Sequence, residues 1–174
     1  VWCKQYDLSK VKAVVAGGNS RQISVYNGLI ALKEIANDSD IVLIHDAARP
    51  LISSKIISSN IEACKKHDAV DTVIKATDTI IVSKDNETLS SIPNRSELYQ
   101  GQTPQSFRLC LILEAHEKAK SNLIPNVTDD CKLVLSLGKE VHLVEGSVQN
   151  FKITTFDDLM ILKALLKLGK SEVL

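Results

Sequence analysis

Apolar and polar positions alternate in two rhythms along the chain. Ile23, Leu29, Ile30, Leu32 and Ile35 recur near helical spacing and predict a helix over 21–35. Ile56, Ile57, Ile61 and Cys64 form the inner stripe of a second helix over 53–67, and Leu109, Leu111, Ile112, Leu113 and Ala115 mark a third over 107–119. Between them, short runs rich in Val and Ile predict strands at 11–16, 41–45, 69–74 and 140–145. The chain is expected to enter strand structure almost at once. Gly17-Gly18-Asn19-Ser20 reads as a turn with free backbone geometry. Thr128 is a plausible N-cap for a helix over 129–137, stopped by Gly138, and Thr155-Phe156-Asp157-Asp158 matches a capping box before a last helix ending near residue 168. This alternation predicts a single α/β domain over 1–174, three layers deep, with a mostly parallel sheet.

Two stretches break the rhythm. Ile41-Val42-Leu43-Ile44 runs straight into His45-Asp46-Ala47-Ala48-Arg49-Pro50. That is a strand buried on both faces that ends in charge, and Pro50 cannot continue a central strand. Ligands of open α/β sheets lie outside the carboxyl ends of strands, where an aspartate can hold magnesium and an arginine can grip phosphate. The second stretch, 79–92, reads as a hairpin: a strand at 79–83, a polar turn at 84–87 and a return at 88–92. A hairpin leaving the sheet predicts a projecting β-arm that packs on a second copy of the chain.

Composition narrows the classes. The 174 residues carry 21 Lys plus Arg against 21 Asp plus Glu, so no overall basic field draws nucleic acid or an anionic membrane. No apolar run reaches membrane-spanning length. The cysteines form no C-x-x-C pair and the histidines are scattered, which argues against a zinc site. Cys64, Cys110 and Cys131 read as buried small hydrophobes, and a reduced, cytoplasmic setting is the expectation.

Taken singly, most candidate positions have ordinary readings: a solvated Ser24, a surface Arg95, a capping Thr128, a strand-end Lys152. His45 reads as a satisfied core or supporting histidine, and His67, His116 and His142 as incidental. Together, however, the motifs run in a familiar order. Gly17 to Val25, His45 to Pro50, Asp78-Thr79, Arg95, Gln102 to Phe107, Thr128 to Asp130, and Val144 to Thr154 resemble the sugar-phosphate cytidylyltransferases related to 2-C-methyl-D-erythritol 4-phosphate cytidylyltransferase. Residues 69–81 and 91–102 look closer to the ribitol-5-phosphate cytidylyltransferase branch, which makes CDP-ribitol for teichoic acids or capsules.

The resemblance implies attack by an alditol phosphate on the α-phosphorus of CTP, releasing pyrophosphate, with methyl-erythritol 4-phosphate in isoprenoid synthesis as the alternative acceptor. A non-catalytic nucleotide-binding relative is the other class of reading. By resemblance, Asp46 would hold Mg2+ and Lys152 would stabilise charge on the α-phosphate; Gly18, Asn19 and Ser24 match positions that contact cytosine and ribose. Arg49, Thr79, Arg95 and Thr128 match positions around the alditol phosphate, completed in the family by the arm of a neighbouring subunit in a homodimer. Two departures stand out. The family's first strand and Gly-rich loop have no counterpart, so an N-terminally truncated piece is expected, and Phe151 stands where a smaller aliphatic is usual.

Overall fold

The structure, a computed structural model, describes residues 2–121, 127 and 129–169. These form two compact units, the first spanning Val1–Val42 with Arg108–Lys139 and the second Leu43–Phe107 with Glu140–Leu174.

The first unit is helical. Helix α1 (Trp2–Gln5) stands where an early strand was expected. Residues 11–16 belong to no strand, and Val14 is 84 % exposed. A Val-rich run becomes a strand only where another backbone pairs with it, and here none of the described strands does. Helix α2 (Arg21–Lys33) starts on Ser20, whose side chain accepts from the Ile23 amide. It packs on α4 (Leu109–Ser121), which in turn packs on α5 (Asp130–Ser136). Leu29, Leu109, Ile112, Leu113, Leu133 and Val134 fill this core. Cys131 is buried as expected, whereas Cys110 is exposed because α4 turns its 109, 112, 113 and 116 face inward. The cap of α5 is Asp129, one residue later than expected, with its side chain accepting from the Lys132 amide; Thr128 lies outside the described residues. Gly138 ends the turn beyond α5 at φ +72, a conformation open to glycine at no steric cost.

The second unit holds the sheet. Strands β1 (Ile41–Ile44), β2 (Ala69–Lys75), β3 (Tyr99–Arg108) and β4 (His142–Glu145) lie in the order β1-β3-β2-β4, the unit boundary falling inside β1 and at the last residue of β3. β2 runs antiparallel to β3 and parallel to β4. Helix α3 (Ser54–His67), capped by Ser53, packs across β2 and β4 through Ile56, Asn60 and Cys64. The α/β class is as the sequence leads one to expect. β3, which has no clear apolar alternation, is the element that sequence reading missed. Its buried Gln102, Thr103, Gln105 and Ser106 are paired over long distances instead. Asn60, for example, donates to the Thr72 hydroxyl at 2.9 Å and accepts from Ser106 Oγ at 3.0 Å. Helix α6 (Phe156–Lys167) starts with the predicted capping box between Thr155 and Asp158.

The expected hairpin survives in reduced form. Lys75 at the end of β2 faces Tyr99 at the start of β3, so residues 76–98 are one excursion from an antiparallel pair. Within it Val82 and Ser91 form a single bridge. The turn is tied instead by Asp85, whose carboxylate accepts from the amides of Glu87 and Thr88 and from the hydroxyls of Ser83 and Thr88. Hydrogen bonding to that carboxylate, led by the Thr88 hydroxyl, holds it well below the usual carboxylate range.

Candidate active site

The carboxyl end of β1 carries the densest charge in the second unit. Beyond Ile44 the chain closes a turn in which the Arg49 amide donates to the Asp46 carbonyl at 2.9 Å. That turn presents Asp46 and Arg49 on the same side. Asp46 Oδ2 lies 3.5 Å from Arg49 Nε and 3.1 Å from Lys152 Nζ. Lys152 comes from the far end of the chain because residues 150–153 run beside the turn, the Ile153 amide donating to the Ala48 carbonyl at 2.8 Å. Asp46 and Arg49 are largely sheltered, while the Lys152 side chain is 45 % exposed. One carboxylate between two cations leaves a surplus of positive charge, which suits a polyanion.

The buried polar atoms around this cluster are unusually specific. Arg49 Nη1 donates to the Asn150 carbonyl at 2.8 Å, yet Arg49 Nε and Asn150 Oδ1 are buried without a hydrogen-bond partner. That Nε–H faces the Asp46 carboxylate at 3.5 Å, so the guanidinium is held toward its neighbouring anion. Asn150 itself is fully buried, its Nδ2 donating to the Thr103 carbonyl at 2.8 Å and to Gln102 Oε1 at 3.2 Å. Sequence reading passed over Asn150 and Thr103, although both lie inside motifs it singled out. His45 is satisfied at both ring nitrogens, by Arg49 O and Thr103 Oγ1, which is the supporting role expected of it.

The other candidates on this unit lie in the arm. Thr79 is exposed, and Arg95, in a short 3-10 turn spanning Arg95–Glu97, donates to the Thr77 carbonyl at 3.1 Å. That bond keeps the guanidinium beside the Asp78-Thr79 segment.

Gly18, Asn19 and Ser24 belong to the first unit. The Gly18 amide donates to Ser24 Oγ at 3.0 Å, and the Ser24 hydroxyl donates to the Ser20 carbonyl at 2.8 Å, so Ser24 shapes the turn from within. A Cβ on Gly18 would run into the Ile23 side chain, which restricts that position to glycine. Asn19 is exposed at the turn's tip.

The first unit also holds a buried ionic group that sequence reading missed. His116 is 2 % exposed, and its Nε2 lies 3.1 Å from Asp130 Oδ1, while Arg21 Nη2 lies 2.7 Å from Asp130 Oδ2. Burial, the largest single influence on Asp130, raises its pKa; the hydrogen bonds and charges of His116 and Arg21 outweigh that and hold it below the ordinary aspartate value. A depressed folded pKa stabilises the fold above the unfolded value and is lost as pH falls through the folded one. Acid unfolding is therefore expected to steepen below pH 3.8 and to lose that component in Asp130→Asn, as read by circular dichroism against pH.

The family description 2-C-methyl-D-erythritol 4-phosphate cytidylyltransferase matches residues 3–168. The chain belongs to that family. Similar solved structures include the 2-C-methyl-D-erythritol 4-phosphate cytidylyltransferase of Thermus thermophilus, 35% identical over 88% of this chain and 72% of that one, with a TM-score of 0.78. The 2-C-methyl-D-erythritol 4-phosphate cytidylyltransferase of Francisella tularensis is 33% identical over 85% of this chain and 69% of that one, with a TM-score of 0.78. The 4-diphosphocytidyl-2C-methyl-D-erythritol synthase of Anaerococcus prevotii is 32% identical over 94% of this chain and 75% of that one, with a TM-score of 0.79. Members of this family are cytidylyltransferases, and this chain is an enzyme of that nucleotidyltransferase class. Among the described residues no helix is long and apolar enough to cross a membrane.

Proposed function

We propose that this cytidylyltransferase transfers the cytidylyl group of CTP to 2-C-methyl-D-erythritol 4-phosphate, the compound its relatives' names carry, in isoprenoid synthesis. What carries the reading is the match to that family over residues 3–168, together with the Asp46, Arg49 and Lys152 cluster at the strand end. An oxygen of the acceptor's phosphate bonds to the α-phosphorus of CTP, the bond from that phosphorus to the bridging oxygen breaks, and pyrophosphate leaves. Such a transfer needs little covalent help; it needs two anions aligned and their charge neutralised. Lys152 stabilises the α-phosphoryl oxygens, and the Arg49 guanidinium supplies positive charge for the acceptor's phosphate. Gly18, Asn19 and Ser24 take the cytidine, and Thr79, Arg95 and Thr128 the acceptor.

The cluster suits magnesium in one way only. Among the described residues no group of three His, Cys, Asp or Glu could hold an ion alone. Magnesium commonly binds through one or two carboxylates plus substrate phosphates and keeps several waters. Asp46, the single carboxylate of the cluster, fits that pattern and would hold the ion. When bound, it supplies charge neutralisation on the triphosphate.

The expectation of ribitol 5-phosphate rested on residues 69–81 and 91–102; the names of the similar structures favour methyl-erythritol 4-phosphate over it. Release of pyrophosphate from CTP and Mg2+ only when an acceptor phosphate is added tests the transferase reading. Release that needs no acceptor, or none with either polyol phosphate, contradicts it. Arg95→Ala is expected to raise KM for the acceptor on the order of ten-fold or more, with KM for CTP nearly unchanged, as steady-state kinetics would read. Equal weakening of both would remove Arg95 from acceptor recognition.

The arm leaves Ile80, Ile81, Leu89 and Ile92 exposed, which favours a homodimer built through it. Sedimentation of the chain as a dimer, and of an Ile81→Asp, Leu89→Asp variant as a monomer, is the expected result.

A further inference from the structure

We propose that Thr103 and His45 are positioning residues for the transfer, clamping the turn that carries Asp46 and Arg49; this rests on the reading of that cluster as the transfer site. The clamp is a directed ring of hydrogen bonds. The Asp46 amide donates to Thr103 Oγ1 at 3.0 Å, Thr103 Oγ1 lies 3.0 Å from His45 Nδ1, and His45 Nε2 lies 3.0 Å from the Arg49 carbonyl oxygen. The turn's own bond, from the Arg49 amide to the Asp46 carbonyl, closes the ring.

Elementary donor and acceptor rules fix the direction at each end of the ring. An amide can only donate, so the threonine oxygen accepts from Asp46. A carbonyl can only accept, so His45 carries a hydrogen on Nε2 and gives it to Arg49. The Thr103 hydroxyl, which can both donate and accept, completes the contact with Nδ1.

A threonine that merely satisfied a strand end would need only one of these bonds. Thr103 holds the whole site instead. Its hydroxyl fixes the first residue of the turn and, through His45, the last. Its carbonyl receives Asn150 Nδ2 at 2.8 Å, and the Asn150 carbonyl receives Arg49 Nη1 at 2.8 Å, so the segment carrying Lys152 is tied to the same residue. Thr103 is 5% exposed, with little room to adopt another arrangement. A site tuned to fractions of an ångström depends on such outer supports.

The test compares the parent enzyme with Thr103→Val and Thr103→Ser, by steady-state kinetics and by long-range 1H–15N spectra of the histidine rings. Valine keeps the volume and removes both hydroxyl roles; serine keeps them. The parent is expected to show a hydrogen on His45 Nε2. Thr103→Val is expected to lower kcat roughly 10- to 100-fold, as loss of an outer-shell partner commonly does, with KM for CTP changed much less. Thr103→Ser should recover most of that loss. A folded valine variant with parental kcat, or a His45 ring with no hydrogen on Nε2, overturns the clamp. Should the valine variant fail to fold, His45→Gln, which keeps a donor near the Nε2 position, is compared with His45→Ala. Better activity in the glutamine variant supports the clamp, and equal losses overturn it. A parent without turnover on any acceptor refutes the functional reading, and the His45 spectrum still decides the ring.

Discussion

Asp46→Asn is expected to reduce turnover on the order of a thousand-fold or more, because several kcal/mol of charge stabilisation depend on this one carboxylate, at about 1.4 kcal/mol per decade. The substitution preserves shape and the backbone bond to Thr103, so the fold should persist. Its cost is electrical. Lys152 and Arg49 lose the anion that lies 3.1 and 3.5 Å from them, and the cluster loses its one ligand for a cation. Kinetics at increasing Mg2+ check the assignment: raising the metal should recover part of the loss if Asp46 holds the ion weakly in its amide form. Turnover equal to the parent's would remove Asp46 from the site.

Lys152→Met is the second large effect. Methionine keeps an unbranched stem and removes the charge. A cation aimed at an oxyanion that strengthens during transfer acts mainly in the transition state, so kcat is expected to fall roughly 100- to 1000-fold while KM for CTP moves far less. Lys152→Arg should recover only part, because a planar fork cannot occupy the place of a compact ammonium. A rise in KM with unchanged kcat would mean that Lys152 binds the ground state alone.

The two effects differ in how visible their residues were in the sequence. Asp46 and Arg49 are legible because an apolar strand ending in charge is a local pattern, although β1 is only half-buried and not buried on both faces as expected. Lys152 is 106 positions from Asp46 in the chain (152 less 46), and only the order of motifs along the sequence pointed to it. The helices over Arg21–Lys33, Ser54–His67 and Leu109–Ser121 were readable from their stripes and caps. β3 was not. Its buried polar residues, spread over both faces, include Gln102, Thr103, Gln105 and Ser106, whose partners are Ser147, His45, Asp71 and Asn60, contacts that no local window contains. The same holds for His116 and Asp130, 14 residues apart on different helices. The run at 11–16 failed in the opposite sense: its composition suits a strand, but no described neighbour pairs with it. Acceptor identity was the least legible of all. The positions expected to read it, Thr79 and Arg95, lie on the exposed arm, and both acceptors are small phosphorylated polyols.

The most direct measurement of the central claim is kcat/KM for pyrophosphate release from CTP and Mg2+, with 2-C-methyl-D-erythritol 4-phosphate and D-ribitol 5-phosphate offered separately. Efficient turnover is expected with methyl-erythritol 4-phosphate and a value at least about a hundred-fold lower with ribitol 5-phosphate, the separation a few hydrogen bonds to hydroxyl groups can supply. A preference for ribitol 5-phosphate would contradict the assignment while leaving the cytidylyl transfer in place.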